Sequence, residues 1–166
     1  MHVNGKEFEP ESKMTRAMLV TVLYRMENPE VTESTHSFAD VAEGEWYYDA
    51  VAWASENNIV SGVSETEFAP DEEITREQLA LIIYRYAKSK GVDVVSDSKL
   101  EKYTDANNVS DWALDALKWA NSTELVNGTN ETELSPKDTA TRAQVAAILM
   151  RFCETVAGGI NRSENV

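Results

Sequence analysis

Three arginines carry the chemistry this sequence could perform: Arg16, Arg76 and Arg142, each directly after a threonine, 60 and 66 residues apart. A guanidinium presents a planar fork of donors that matches a carboxylate better than an ammonium does. One step inside a helix start it faces the positive end of the helix dipole, an unfavourable place that recurs three times and so implies a fixed task. In one reading the arginine and the free N–H groups of the helix start together receive a ligand carboxylate. In the other it pairs with an acidic residue of a neighbouring repeat, for which Asp40 and Asp105 are the candidates. Trp46 and Trp112 open the preceding helices, where a ring could stack on a sugar face or sit at an interface between repeats. Gly62 and Gly128 read as left-handed turn residues whose N–H groups could also face an anion.

The elements that must position these groups recur with them. FEPESKMTRAMLVTVLYRM, FAPDEEITREQLALIIYRY and LSPKDTATRAQVAAILMRF each place a large apolar residue, a proline two positions on, and a Thr-Arg pair opening an amphipathic run. Thr15, Thr75 and Thr141 read as N-caps, and Gln78 and Gln144 complete capping boxes. Val22, Leu23 and Met26 fall at core spacing in the first of these helices. Asn28-Pro29 and Gly91 stop the first two helices; the third runs to about Val156, before Gly158-Gly159. Upstream of the second and third copies, WYYDAVAWASENN and DWALDALKWANS give a further helix each, with Trp53 and Trp119 among alanines as core residues.

Internal spacing is held more tightly than the period: Trp46 precedes Arg76 by 30 residues, as Trp112 precedes Arg142. The unit is therefore helix, Gly-containing turn, loop, Thr-Arg helix, and the first copy holds only its second half. Repeats bury their cores against neighbours, so the absent helix predicts an uncovered apolar face, a cut from a larger protein, and self-association through that face. Asn4-Gly5 reads as a turn, Phe8 and Pro10 as an anchored loop, 30–37 and 92–102 as connectors, and INRSENV as a frayed tail.

Composition narrows the function classes. The net charge of −14 argues against a binder of phosphate backbones, so no nucleic acid is expected. No apolar run reaches 18 residues, so no membrane insertion is expected. His2 and His36, the only histidines, lie in polar segments outside the repeated unit and suggest no nucleophile–base pair. Asp105 to Asp111 superficially resembles a calcium loop, but it lacks the glycine of the turn position, and Ala116 stands where the bidentate Glu belongs. Neither metal nor cofactor is expected. Cys153, the single cysteine, reads as a buried, inert thiol in an apolar helical run.

The pattern F-x-D-V…W…A-V-x-W-A…G…F-x-P…T-R resembles the S-layer homology repeat of bacterial surface proteins. The resemblance covers one domain, 1–166, with a partial repeat at 4–28 and full repeats at 37–90 and 102–157. It implies an all-α fold of three repeats in a pseudo-threefold, three-pronged spindle with a helical bundle at the axis. It also implies non-catalytic, extracellular anchoring to a secondary cell-wall polysaccharide, often pyruvylated, bound in grooves between repeats. The family's signature positions map to Arg16, Arg76, Arg142, Asp40, Asp105, Trp46, Trp112, Gly62 and Gly128, which are the candidate glycan-binding residues. The family's signature Glu is replaced by Met18, Gln78 and Gln144, and Leu134 and Tyr103 replace phenylalanines in the third copy. The rival expectation is an assembly module making protein–protein contacts in a surface layer.

Overall fold

A computed structural model describes residues 2–3, 6–7, 12–30, 38–96 and 98–157. The fold is all-α apart from a two-stranded antiparallel hairpin, β1 (His2–Val3) with β2 (Lys6–Glu7). The helices are α1 (Arg16–Glu27), α2 (Tyr48–Glu56), α3 (Arg76–Ser89), α4 (Leu114–Ser122) and α5 (Arg142–Arg151). Among the described residues no helix is long and apolar enough to cross a membrane. The expected turn at Asn4-Gly5, the Phe8–Pro10 anchor, positions 31–37 of the first connector and the tail lie outside the described residues.

The Thr-Arg helices α1, α3 and α5 start as the sequence implies. Each threonine hydroxyl accepts the N–H three residues on, and Gln78 and Gln144 return the bond to the cap's own N–H. The remaining first-turn donors, which no residue of the same helix can satisfy, go to the loop of the next repeat. Arg16 N–H donates to Glu72 O, Arg76 N–H to Asp138 O and Arg142 N–H to Ser12 O. One residue before each threonine, three buried residues close a ring. Ile74 N–H donates to Met14 O at 2.8 Å, Ala140 N–H to Ile74 O at 2.9 Å, and Met14 N–H to Ala140 O at 3.3 Å. The three repeats thus follow one another cyclically, each helix start seated on its successor.

Helix packing repeats the same relation. α1 packs on α2, with Tyr24 edge-on to Trp53, and α3 packs on α4, with Tyr84 edge-on to Trp119. Trp53 and Trp119 are core residues, as their mid-helix positions imply. Among the described helices α5 makes no comparable pairing, and Met150, in the register of Tyr24 and Tyr84, is 61% exposed.

Three expectations need correction. Met26 is 40% exposed rather than in the core, because Leu23 and Val20 already fill the core face of α1 just before Asn28 turns left-handed. Cys153 is exposed rather than buried. After Arg151 the chain widens into a π-helical turn, Phe152–Ala157, in which Phe152 takes the core position against Tyr86 and leaves its neighbour outside. Trp46 and Trp112 do not open α-helices either: Trp46 lies in the turn before α2, and Trp112 in a 3₁₀ turn, Asp111–Ala113, before α4.

Candidate functional site: grooves between repeats

Each described loop is gripped at both ends of one residue. Arg16 crosses into the second repeat, where its Nε–H donates to Phe68 O at 2.9 Å and its Nη2 to Ser61 O at 3.1 Å. Arg76 does the same in the third repeat, to Leu134 O at 2.9 Å and Asn127 O at 2.6 Å. The Arg16 guanidinium also lies over the Phe68 ring, 4.8 Å from its centre. Burial lowers the pKa of both arginines, opposed at Arg16 by Glu72 and Asp40 and at Arg76 by Asp138, Tyr103 and Asp105. The Nε–Nη2 edge of each guanidinium, one of the two that could take a ligand carboxylate, is therefore occupied by backbone carbonyls.

Among the described residues neither aspartate forms an ion pair with an arginine. Asp40 accepts the N–H groups of Phe68 and Ala69 at 2.9 and 2.8 Å, and Asp105 those of Leu134 and Ser135, both at 2.8 Å. Both carboxylates hold positive-φ loop residues, Ala69 and Ser135, in place. Both oxygens of Asp105 are thus engaged by its own loop. Among the described residues no cluster of three or more His, Cys, Asp or Glu could hold a metal.

Gly62 and Gly128 are not left-handed; the positive-φ glycines among the described residues are Gly44 and Gly91. At Gly62 and Gly128 the reason for glycine is close approach. A Cβ at Gly62 would lie 2.3 Å from Ser64 O and 2.6 Å from the Phe38 ring; at Gly128 it would lie 2.4 Å from Asn130 O and 2.8 Å from the Tyr103 ring. The same turns border two grooves. The first, about 360 Å³, is lined by Arg16, Ser61, Gly62, Gln78, Arg85 and, from the third repeat, Trp112. The second, about 300 Å³, repeats it with Arg76, Asn127, Gly128, Gln144 and Arg151, and no tryptophan.

Trp112 is 53% exposed and Trp46 49%. Trp46 lines neither groove and stands edge-on to Tyr47. Arg142 also stands outside both grooves, and its buried Nε has no hydrogen-bond partner among the described residues. The reading of the sequence missed Arg85 and Arg151, yet a signal was there: an arginine follows each Thr-Arg arginine by nine residues, at Arg25, Arg85 and Arg151. Arg85 stands at the mouth of the first groove, with Nη1 donating to Ser61 Oγ at 3.2 Å. The two capping glutamines were likewise missed as groove residues.

Comparison with known proteins agrees with this architecture. The family model of the S-layer homology domain matches residues 37–80 and 102–146. The chain is 33% identical to a surface-layer 125 kDa protein of Lysinibacillus sphaericus over 92% of its length, covering 13% of that protein. It is 31% identical to an endoglucanase of Bacillus sp. (strain KSM-635) over 90% of its length, covering 16% of that enzyme. With a cellulosome-anchoring protein of Acetivibrio thermocellus the identity is 24% over 90% of the chain, covering 34% of the relative. The chain thus spans a minor part of each of these differently named relatives. The matched residues take in, from each full repeat, the first helix, the turn, the loop and the Thr-Arg helix start, and the chain belongs to the S-layer homology domain family.

Proposed function

We propose that this chain is a non-catalytic module that anchors a larger surface protein to the bacterial cell wall by holding a secondary cell-wall polysaccharide in its inter-repeat grooves. The first groove carries this reading: an exposed indole, Trp112, lines the same space as a half-buried cation, Arg85. A sugar ring stacks on the indole, and an acidic substituent such as a pyruvyl carboxylate is met by Arg85. Buried Arg16 supports this second-hand, by fixing the Ser61–Gly62 turn and adding positive charge beneath it. The second groove offers Arg151 without an indole, so it binds more weakly and adds avidity when both engage one polymer. The names of the relatives, a surface-layer protein and a cellulosome-anchoring protein among them, support a cell-wall location.

The occupied Nε–Nη2 edges of Arg16 and Arg76 favour a second reading, an assembly module whose arginines only bridge repeats. Cosedimentation with purified wall sacculi separates the two. Pelleting that is lost once the secondary polymer is extracted supports the glycan anchor. Pelleting that survives extraction, or that requires another surface protein, supports assembly.

A further inference from the structure

The interface between the second and third repeats contains a clasp that the interface between the first and second lacks. Glu77, the second residue of α3, is 2% exposed. One of its carboxylate oxygens accepts Ser110 N–H at 2.9 Å; the other accepts Ser110 Oγ–H and the Lys137 ammonium, each at 2.8 Å. Lys137 also donates to Ser110 Oγ. A buried carboxylate is costly unless its lone pairs are filled, and here three donors fill them. At the corresponding positions of the preceding interface stand Ala17, Gly44 and Asp71, a set that cannot form this network.

Ser110 is the residue immediately before the 3₁₀ turn Asp111–Ala113, and that turn carries Trp112. The clasp therefore fixes the root of the one short segment that brings an indole from the third repeat over the groove formed by the first and second. Trp46, the equivalent residue one repeat earlier, follows Gly44, whose φ is +91°, and has no such carboxylate at its root.

We infer that Glu77 is a positioning residue: through Ser110, with Lys137 as counter-ion, it sets Trp112 at the mouth of the first groove for an acidic, ring-faced ligand. This rests on the groove reading above. It explains why a charged side chain is buried where its counterpart Ala17 is apolar. The binding surface is then asymmetric by construction, with one of the two described grooves given a clamped indole.

The test uses the full chain labelled with 5-fluorotryptophan, its four ¹⁹F resonances assigned by single Trp→Phe variants. Glu77→Ala is expected to shift or broaden the Trp112 resonance while those of Trp53 and Trp119 stay in place. Glu77→Ala with Lys137→Asp recreates the Ala17–Asp71 set already tolerated in this fold, so it should remain folded and show the same change. Affinity for purified secondary cell-wall polymer should fall roughly five- to tenfold in Glu77→Ala, by the same factor as in Trp112→Ala, and no further in the Glu77→Ala/Trp112→Ala double variant. An unmoved Trp112 resonance in both Glu77 variants overturns the positioning role. A moved resonance with Trp112→Ala binding at the unmodified level overturns the groove reading instead. Additive losses in the double variant overturn the link between the two residues.

Discussion

Arg16 and Asp40, from different repeats, hold opposite ends of the same residue: the guanidinium takes Phe68 O at 2.9 Å while the carboxylate takes Phe68 N–H at 2.9 Å. Arg76 and Asp105 repeat this at Leu134. Charges of opposite sign are thus coupled through a residue's backbone rather than by direct contact. The two arginines that make these bonds also line the inter-repeat grooves, so the stability of the domain and the shape of those grooves depend on the same interactions.

Arg76→Ala should destabilise the domain by about 1.5–3 kcal/mol, because two carbonyls, the buried Leu134 O and the partly buried Asn127 O, lose a charged donor. Arg76→Lys should recover only part of this, since an ammonium cannot reproduce the planar fork. Urea unfolding followed by circular dichroism measures both. A wild-type midpoint for Arg76→Ala would show that the grip contributes nothing.

Gly62→Ala should cost about 1–3 kcal/mol, because the new methyl must displace backbone oxygen rather than a flexible side chain. Gly44→Ala tests a different cause, since open space surrounds its Cβ position and only the positive φ opposes substitution. Thermal unfolding of the pair is expected to show the larger loss at Gly62.

These two glycine sites illustrate what the sequence could and could not tell. Helix existence, the N-caps and both capping boxes were legible because they depend on residues three apart. A pseudo-threefold order was implied only by the resemblance to the family, not by the repeat itself. The reason for Gly62 was not legible, since it lies in Ser64, Glu67 and Phe38 folding back on the turn. Likewise, no local pattern shows whether an arginine meets a carboxylate or two carbonyls of the next repeat. The exposure of Cys153 depends on a switch from α to π geometry that begins at Phe152, which the apolar run does not announce.

Cys153 should react with Ellman's reagent in the folded protein without denaturant, since its side chain is at the surface. Reaction only after unfolding would contradict the π-helical turn that places it there.

Stability should fall at both ends of the pH scale through Glu27 and Tyr86. Burial opposes ionisation of Glu27, but hydrogen bonds from Lys90 and from Tyr86 outweigh it and lower its pKa. Its contribution is therefore present above the ordinary carboxylate value of about 4.3 and lost as pH falls through the depressed one. Burial and the bond to Glu27 raise the Tyr86 pKa. That contribution is present below the ordinary tyrosine value of about 10 and is lost as pH rises towards the elevated one. Urea midpoints measured from about pH 3 to 11 should show a smaller alkaline loss in Tyr86→Phe and a smaller acid loss in Glu27→Gln. Identical pH profiles for wild type and Tyr86→Phe would exclude this pairing as a source.

The most direct test of the central claim is calorimetric titration of the folded chain with purified secondary cell-wall polymer, comparing wild type with Arg85→Ala and Trp112→Ala. Both residues face the first groove and neither takes part in the Arg16–Phe68–Asp40 grip, so both variants should remain folded. The groove account predicts a saturable wild-type isotherm weakened roughly five- to tenfold by either substitution. Unchanged affinity in both variants, or no heat of binding from the wild-type chain, would contradict it.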